Sequence, residues 1–193
     1  MTTTTLLLDI DGVINAVSEG YPRTNTGWTE WETAFVSFQD QDSSVSALLR
    51  NTEPKRGFRI TYSPQLLRKL EELAARPDVE IKWLTTWCDD AKTHLCPAVG
   101  LDGTGWDVLG REEYDYDPWS TNYWWKAISA QRWWESEDRD DQRFVWLDDD
   151  LRYQRDAWEW VNTLSDKAMF ISPNSRHGLS VKHMNAITEF IDR

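Results

Sequence analysis

The chain has 193 residues, with 21 Lys and Arg against 33 Asp and Glu, a formal net charge of −12 and a pI near 4.6. Such a length suits one domain with a sizeable core, extended at most by a modest insertion. The charge argues against a nucleic-acid backbone or an anionic membrane as default partner, because counterion release needs a basic face; a small phosphorylated molecule bridged by a cation remains open.

Taken in order, Thr5 to Leu8 is continuously apolar after its threonine and predicts a strand buried on both faces, ending abruptly in Asp9-Ile10-Asp11-Gly12-Val13. From Asn15 to about Arg59 the chain turns polar, punctuated by Gly20, Pro22, Gly27, Pro54 and Gly57. The alternation in Phe35-Val36-Ser37-Phe38 resembles a hairpin strand, so residues 15–59 read as a small insertion of strands and loops over one domain spanning 1–193. Ser63-Pro64 is a helix start, with Ser as cap and Pro in the first turn, and Leu66, Leu67, Leu70, Leu73 and Ala74 form one apolar stripe.

Pro77-Asp78 closes that helix, and Val79 to Leu84 predicts a strand delivering Thr85 and Thr86 at its end. Glu80 and Lys82 are out of place in a central parallel strand and imply a partly covered face. A helix is expected from Asp89 to about Val99, a short strand from Trp106 to Leu109, and a helix from Asn122 to Trp134 carrying Lys126. After the charged stretch Glu135 to Arg143, a second apolar run, Phe144-Val145-Trp146-Leu147, again ends in acids, Asp148-Asp149-Asp150. Asp150 is read as the cap of the segment that follows. A helix bearing Trp158, Val161 and Leu164, a strand Ala168 to Ile171, a surface turn at Arg176-His177-Gly178, and a last helix capped by Ser180 with Val181, Met184, Ile187 and Ile191 inward complete the chain.

Strands alternating with helices point to a three-layer α/β/α sandwich around a mainly parallel, Rossmann-like sheet. Gathered carboxylates repel one another and raise each other's pKa values, so a fold that brings two acidic strand ends together supplies a cation. In a parallel sheet the crevice beyond the carboxyl ends of the strands is the expected site. Cys88 and Cys96 fit no zinc spacing and read as buried thiols, and His94, His177 and His183 are too scattered to be ligands. The 13 tryptophans are expected chiefly to fill the core, with Trp28 or Trp31 as candidate walls of a substrate site. No apolar run nears the ~20 residues of a spanning helix, and Met1 and its threonines lack a leader's basic-then-apolar pattern; the expectation is a soluble, cytoplasmic protein without a membrane partner.

Asp9-Ile10-Asp11-Gly12-Val13, Thr85, Lys126 and Asp148-Asp149, each in its place after a strand or on a helix, resemble the four motifs of the haloacid dehalogenase-like superfamily in order. Trp83-Leu84-Thr85-Thr86-Trp87 with Trp146-Leu147-Asp148-Asp149 resembles a bacterial and phage branch with a small cap or none. The resemblance covers about Leu6 to Gly12 and Ser63 to Arg193. It implies that Asp9 is a nucleophile on phosphorus and that Asp11 protonates the leaving oxygen and then activates water. It also implies magnesium held by the Asp9 carboxylate, the Asp11 carbonyl and Asp148 or Asp149. Thr85, or Thr86 in its place, would bind the phosphoryl group beside Gly12, and Lys126 would offset charge. Asp at position 11 favours phosphate esters over halides. The resulting expectation is a phosphatase for a small phosphomonoester such as a nucleotide or sugar phosphate. A phosphorylated nucleic-acid end or protein is the alternative, with the missing basic clusters counting against nucleic acid. A non-catalytic binding protein of the same fold is the third reading.

Overall fold

Leu6, Leu7 and Leu8 have no exposed surface, because β1 (Thr3–Leu8) is the middle strand of a five-stranded sheet. The computed structural model describes residues 2–17, 25–37, 57–110, 124–136, 139 and 141–193. Around β1 the sheet is built from β4 (Val79–Trp83), β5 (Asp107–Val108), β6 (Gln142–Leu147) and β7 (Ala168–Ile171), in the order β5-β4-β1-β6-β7 and parallel throughout. Leu8 lies level with Trp83 on one side and Leu147 on the other, so β1, β4 and β6 end together.

Side chains leave a strand alternately to its two faces, and the core divides accordingly. Leu6, Leu8, Ile81, Val145 and Leu147 pack with α1 (Pro64–Ala74) and α5 (Val181–Ile191). Leu7, Phe144 and Trp146 pack on the other face with α3 (Trp125–Glu135) and α4 (Arg155–Thr163). The chain is therefore a three-layer α/β/α sandwich of the expected Rossmann-like kind. No helix of the described residues is long and apolar enough to cross a membrane.

Several local details depart from the sequence pattern. The expected helix from Asp89 is a wide π-type turn over Ala91–Leu95 followed by the short α2 (Cys96–Val99). Pro97 has no N–H and its ring would clash in a regular turn, and the wider i to i−5 bond from Cys96 N–H to Ala91 O fits that restriction. β2 (Glu32–Ser37) pairs antiparallel with β3 (Gly57–Tyr62) in a separate two-stranded sheet; β3 escaped the sequence reading because Phe58-Arg59 blur its alternation. Phe38 and the rest of 38–56 lie outside the described residues, as do Asn122 and Tyr123 of the expected Lys126 helix. Lys82 is buried and bridges Glu80 at 2.6 Å and Asp107 at 3.0 Å, which is how a charged pair fits a strand covered on its outer side by only the two-residue β5. Trp158 is 44% exposed, with its ring edge-on to Phe170; Ala157 and Val161 carry the buried face of α4.

Ser180 and His183 form a reciprocal cap at the start of α5: the Ser180 hydroxyl accepts from His183 N–H at 3.2 Å, and Ser180 N–H donates to His183 Nδ1 at 3.1 Å. Ser180→Ala should cost about 1 kcal/mol, with an unchanged denaturant slope in urea unfolding, since it removes one partner of an N-terminal N–H without touching the core.

Candidate active site

The hydrogen-bond ladder continues past the strand ends and fixes the residues just beyond them. Leu84 N–H donates to Leu8 O at 2.9 Å, Asp9 N–H to Leu147 O at 3.0 Å, and Asp148 N–H to Ile171 O at 3.2 Å. Asp9 and Asp148 thus leave adjacent strands side by side. After Asp9 the chain coils tightly, with the N–H groups of Val13, Ile14 and Asn15 all directed at Ile10 O. Gly12 sits in this coil at φ +72°, where a Cβ would lie 2.3 Å from the carboxyl carbon of Asp149. Only glycine fits both the left-handed backbone and the close approach.

Into this corner α3 delivers Lys126 in its first turn. The ammonium lies 2.8 Å from Asp9 Oδ2 and 2.7 Å from Asp148 Oδ2, with all three residues buried. Burial alone would lower the lysine pKa, but the two carboxylates outweigh it and hold the value above that of an ordinary lysine. One ammonium cannot satisfy two carboxylates. Burial raises the Asp9 pKa against the opposing pull of Lys126. Burial and then the charge of Asp9 push Asp148 up to about 8, and burial with the charges of Asp150 and Asp9 raises Asp149 to about 6.

The other Asp148 oxygen accepts from Asp150 N–H at 2.9 Å, so Asp148 caps the 3-10 turn Asp149–Tyr153, a role the sequence pattern had suggested for Asp150. Both Asp148 oxygens are thereby engaged, one by Lys126 and the other by the Asp150 N–H. Carboxylate oxygens of Asp9, Asp148 and Asp149 all lie within 4.8 Å of one another. Fully ionised, three carboxylates against one ammonium would carry two negative charges in excess in a largely buried pocket. A hard, all-oxygen donor set with that deficit fits a magnesium ion, which Asp9, Asp148 and Asp149 would hold.

Asp11 stands on different neighbours. Asn15 Nδ2 donates to its Oδ1 at 2.7 Å, and Trp87 Nε1 donates to its Oδ2 at 2.9 Å. Thr85 is fully buried, its hydroxyl oxygen 3.4 Å from the Trp87 N–H, while Thr86 is exposed. Trp28, a candidate wall, instead donates its indole N–H to Leu179 O at 2.7 Å and packs on the core. The loop after β7 closes against the Asp11 coil, with Leu179 N–H on Val13 O at 2.8 Å and Gly178 too near that carbonyl to carry a Cβ. Asp9, Lys126, Asp148 and Asp149 are brought into one cluster. Asn15 and Trp87 are the residues sequence reasoning missed; the only signal was that Trp87 follows Thr85 by two positions.

A parallel sheet with acids at the ends of adjacent central strands, a lysine bridging them and a glycine coil after the first defines a haloacid dehalogenase-like domain. The model of the family described as the HAD domain in Swiss Army Knife RNA repair proteins matches residues 5–184, and the chain belongs to that family. No curated protein and no solved structure matches the chain.

The excess charge has a thermodynamic signature. In the unfolded chain Asp148 titrates near its ordinary 3.8, but in the folded, metal-free protein it holds its proton to about 8, so the folded state binds more protons between those values. Stability of the metal-free protein should therefore fall as pH rises through that window. Melting in chelator should show a lower Tm at pH 8 than at pH 6, Asp148→Asn should flatten the difference, and magnesium should raise the wild-type Tm more at pH 8 than at pH 6.

Proposed function

We propose that the protein is a magnesium-dependent phosphomonoester hydrolase working through an aspartyl-phosphate on Asp9, and that its ester is the terminal phosphate of an RNA strand. The observation that carries the chemistry is the Asp9 carboxylate at the end of β1, 2.8 Å from a buried Lys126 ammonium and within 4.8 Å of Asp148 and Asp149. Bound magnesium would supply charge neutralisation for the phosphoryl oxygens. Asp9 attacks phosphorus and the bond to the ester oxygen breaks, giving the aspartyl-phosphate, while Asp11 passes its proton to the departing oxygen. Asp11 then takes a proton from water as that water attacks phosphorus, releasing phosphate and restoring Asp9. Lys126 keeps Asp9 aligned and offsets its charge, and the Thr85 hydroxyl, with Gly12 and Thr86 nearby in the chain, is assigned to the phosphoryl group.

The choice of RNA is supported by membership of a family described from RNA repair proteins. The net charge of −12 disfavours long contacts with a polyanion, so this reading confines recognition to the last nucleotide or two, with the β2–β3 sheet as the candidate flap. The same charge favours a second reading, a free nucleotide or sugar phosphate. A non-catalytic role is disfavoured by the complete set of carboxylates with its lysine. A cytoplasmic setting belongs to the proposal and accords with Cys88 and Cys96 remaining thiols.

Asp9→Asn should abolish turnover while leaving the metal-free protein as stable as the parent or more so, because it removes the nucleophile and one of the repelling carboxylates. Activity within tenfold of the parent would defeat the covalent mechanism. End-phosphorylated oligoribonucleotides should be hydrolysed with a higher kcat/KM than the matching mononucleotides, with a shallow dependence on salt. A preference for the mononucleotide would promote the second reading.

A further inference from the structure

We propose that Trp87 and Asn15 are positioning residues for Asp11, fixing the carboxyl group that delivers the proton to the leaving oxygen; the inference rests on the phosphohydrolase reading above. Both Asp11 oxygens are held, Oδ1 by the Asn15 amide at 2.7 Å and Oδ2 by the Trp87 indole at 2.9 Å. An indole N–H only donates and an amide NH₂ only donates, so neither support competes with Asp11 for the proton it transfers. A carboxyl with a donor on each oxygen loses the freedom to rotate away from the ester, which is what proton transfer in a transition state requires.

The two supports are themselves fixed, and by the same strand. Asn15 is buried, and its Oδ1 accepts from Thr61 N–H at 2.9 Å, which determines that the NH₂ end of the amide faces Asp11. Trp87 is 2% exposed, and its ring meets Phe58 at 5.6 Å between centroids. Thr61 and Phe58 both belong to β3. The separate two-stranded sheet thus reaches Asp11 by two independent routes, whereas Asp9 and Asp148 rely on the main sheet and Lys126. Proton delivery should therefore be separable by mutation from nucleophilic attack.

The test uses the full chain with magnesium and a series of substituted phenyl phosphates running from p-nitrophenyl, which leaves without a proton, to phenyl, which needs one. Trp87→Phe and Asn15→Ala should keep kcat/KM for p-nitrophenyl phosphate, which reports only formation of the aspartyl-phosphate, within about threefold of the parent and lower kcat/KM for phenyl phosphate at least about tenfold, part of the 10²–10⁴ that general acid catalysis supplies; kcat, which includes the water attack that Asp11 also assists, should fall on both esters. In an Asp11→Asn background, adding Trp87→Phe should change the phenyl rate by less than about twofold, since the group it positions is gone. Equal losses in kcat/KM on both esters, or losses that add to that of Asp11→Asn, would assign the two residues a merely structural role and overturn the proposal. Circular dichroism checks folding, and Asn15→Ala carries the test should the buried Trp87→Phe fail to fold. A parent enzyme active on the series with variants of unchanged leaving-group dependence sinks this inference alone; a parent inactive on every ester sinks the phosphohydrolase reading along with it.

Discussion

One ammonium shared by two buried carboxylates organises the molecule. Taking Lys126, Asp9 and Asp148 out of water costs several kcal/mol per ion, and removing the lysine from such a cluster leaves two buried carboxylates uncompensated, a loss of the kind that typically costs about 3–5 kcal/mol. The arrangement persists only if the surroundings dictate it. β1 must be central, so that Asp9 and Asp148 emerge from neighbouring strands, and α3 must present its first turn to them. A cation in the first turn of a helix sits at the positive end of the helix dipole, an unfavourable place in isolation. Here the two carboxylates offset that penalty and tie the helix start to the strand ends.

The two faces of the sheet are packed with different materials. Toward α1 and α5 the core is largely aliphatic. Toward α3 and α4 it is aromatic: Trp124 stacks on Trp146 at 5.2 Å with planes 5° apart, and Phe144 meets Trp133, Trp134 and Trp160. The helices on that side turn Ala127, Ala130 and Ala157 to the sheet, and small residues opposite large rings let the layers close. Lys126 also lies 5.6 Å from the centre of the Trp124 ring, so the aromatic layer both excludes water from the ammonium and presents it a π-face.

How much of this was legible in the sequence varied by element, for physical reasons. β1 and β6 announced themselves because strands buried on both faces are apolar without interruption, and their acids follow abruptly. The order of the motifs then placed Asp9, Lys126, Asp148 and Asp149 in one corner. β4 was ambiguous because its charges are resolved by a neighbour far along the chain, Lys82 reaching Asp107. Asp148 and Asp150 exchanged capping roles because which carboxylate bends back to an N–H depends on backbone angles that a run of three aspartates does not reveal. Trp87 stood within the Trp83-to-Trp87 motif, but its role could not be read there, since the value of its N–H lies in Asp11, brought to it by tertiary packing alone.

The central place of β1 also bears on how the protein is made. Leu6, Leu7 and Leu8 precede both strands that cover them, since β4 and β6 follow after long stretches of chain. A growing polypeptide therefore carries an unpaired apolar strand through much of its synthesis, the kind of segment that invites off-pathway pairing. Thr3, Thr4 and Thr5 make the first half of that strand less apolar than its end, and Thr4 and Thr5 become buried only as the partner strands arrive. The corner that gathers Asp9 and Asp148 cannot close during synthesis before β6 has been made, so the charge cluster forms only after most of the chain has been synthesised.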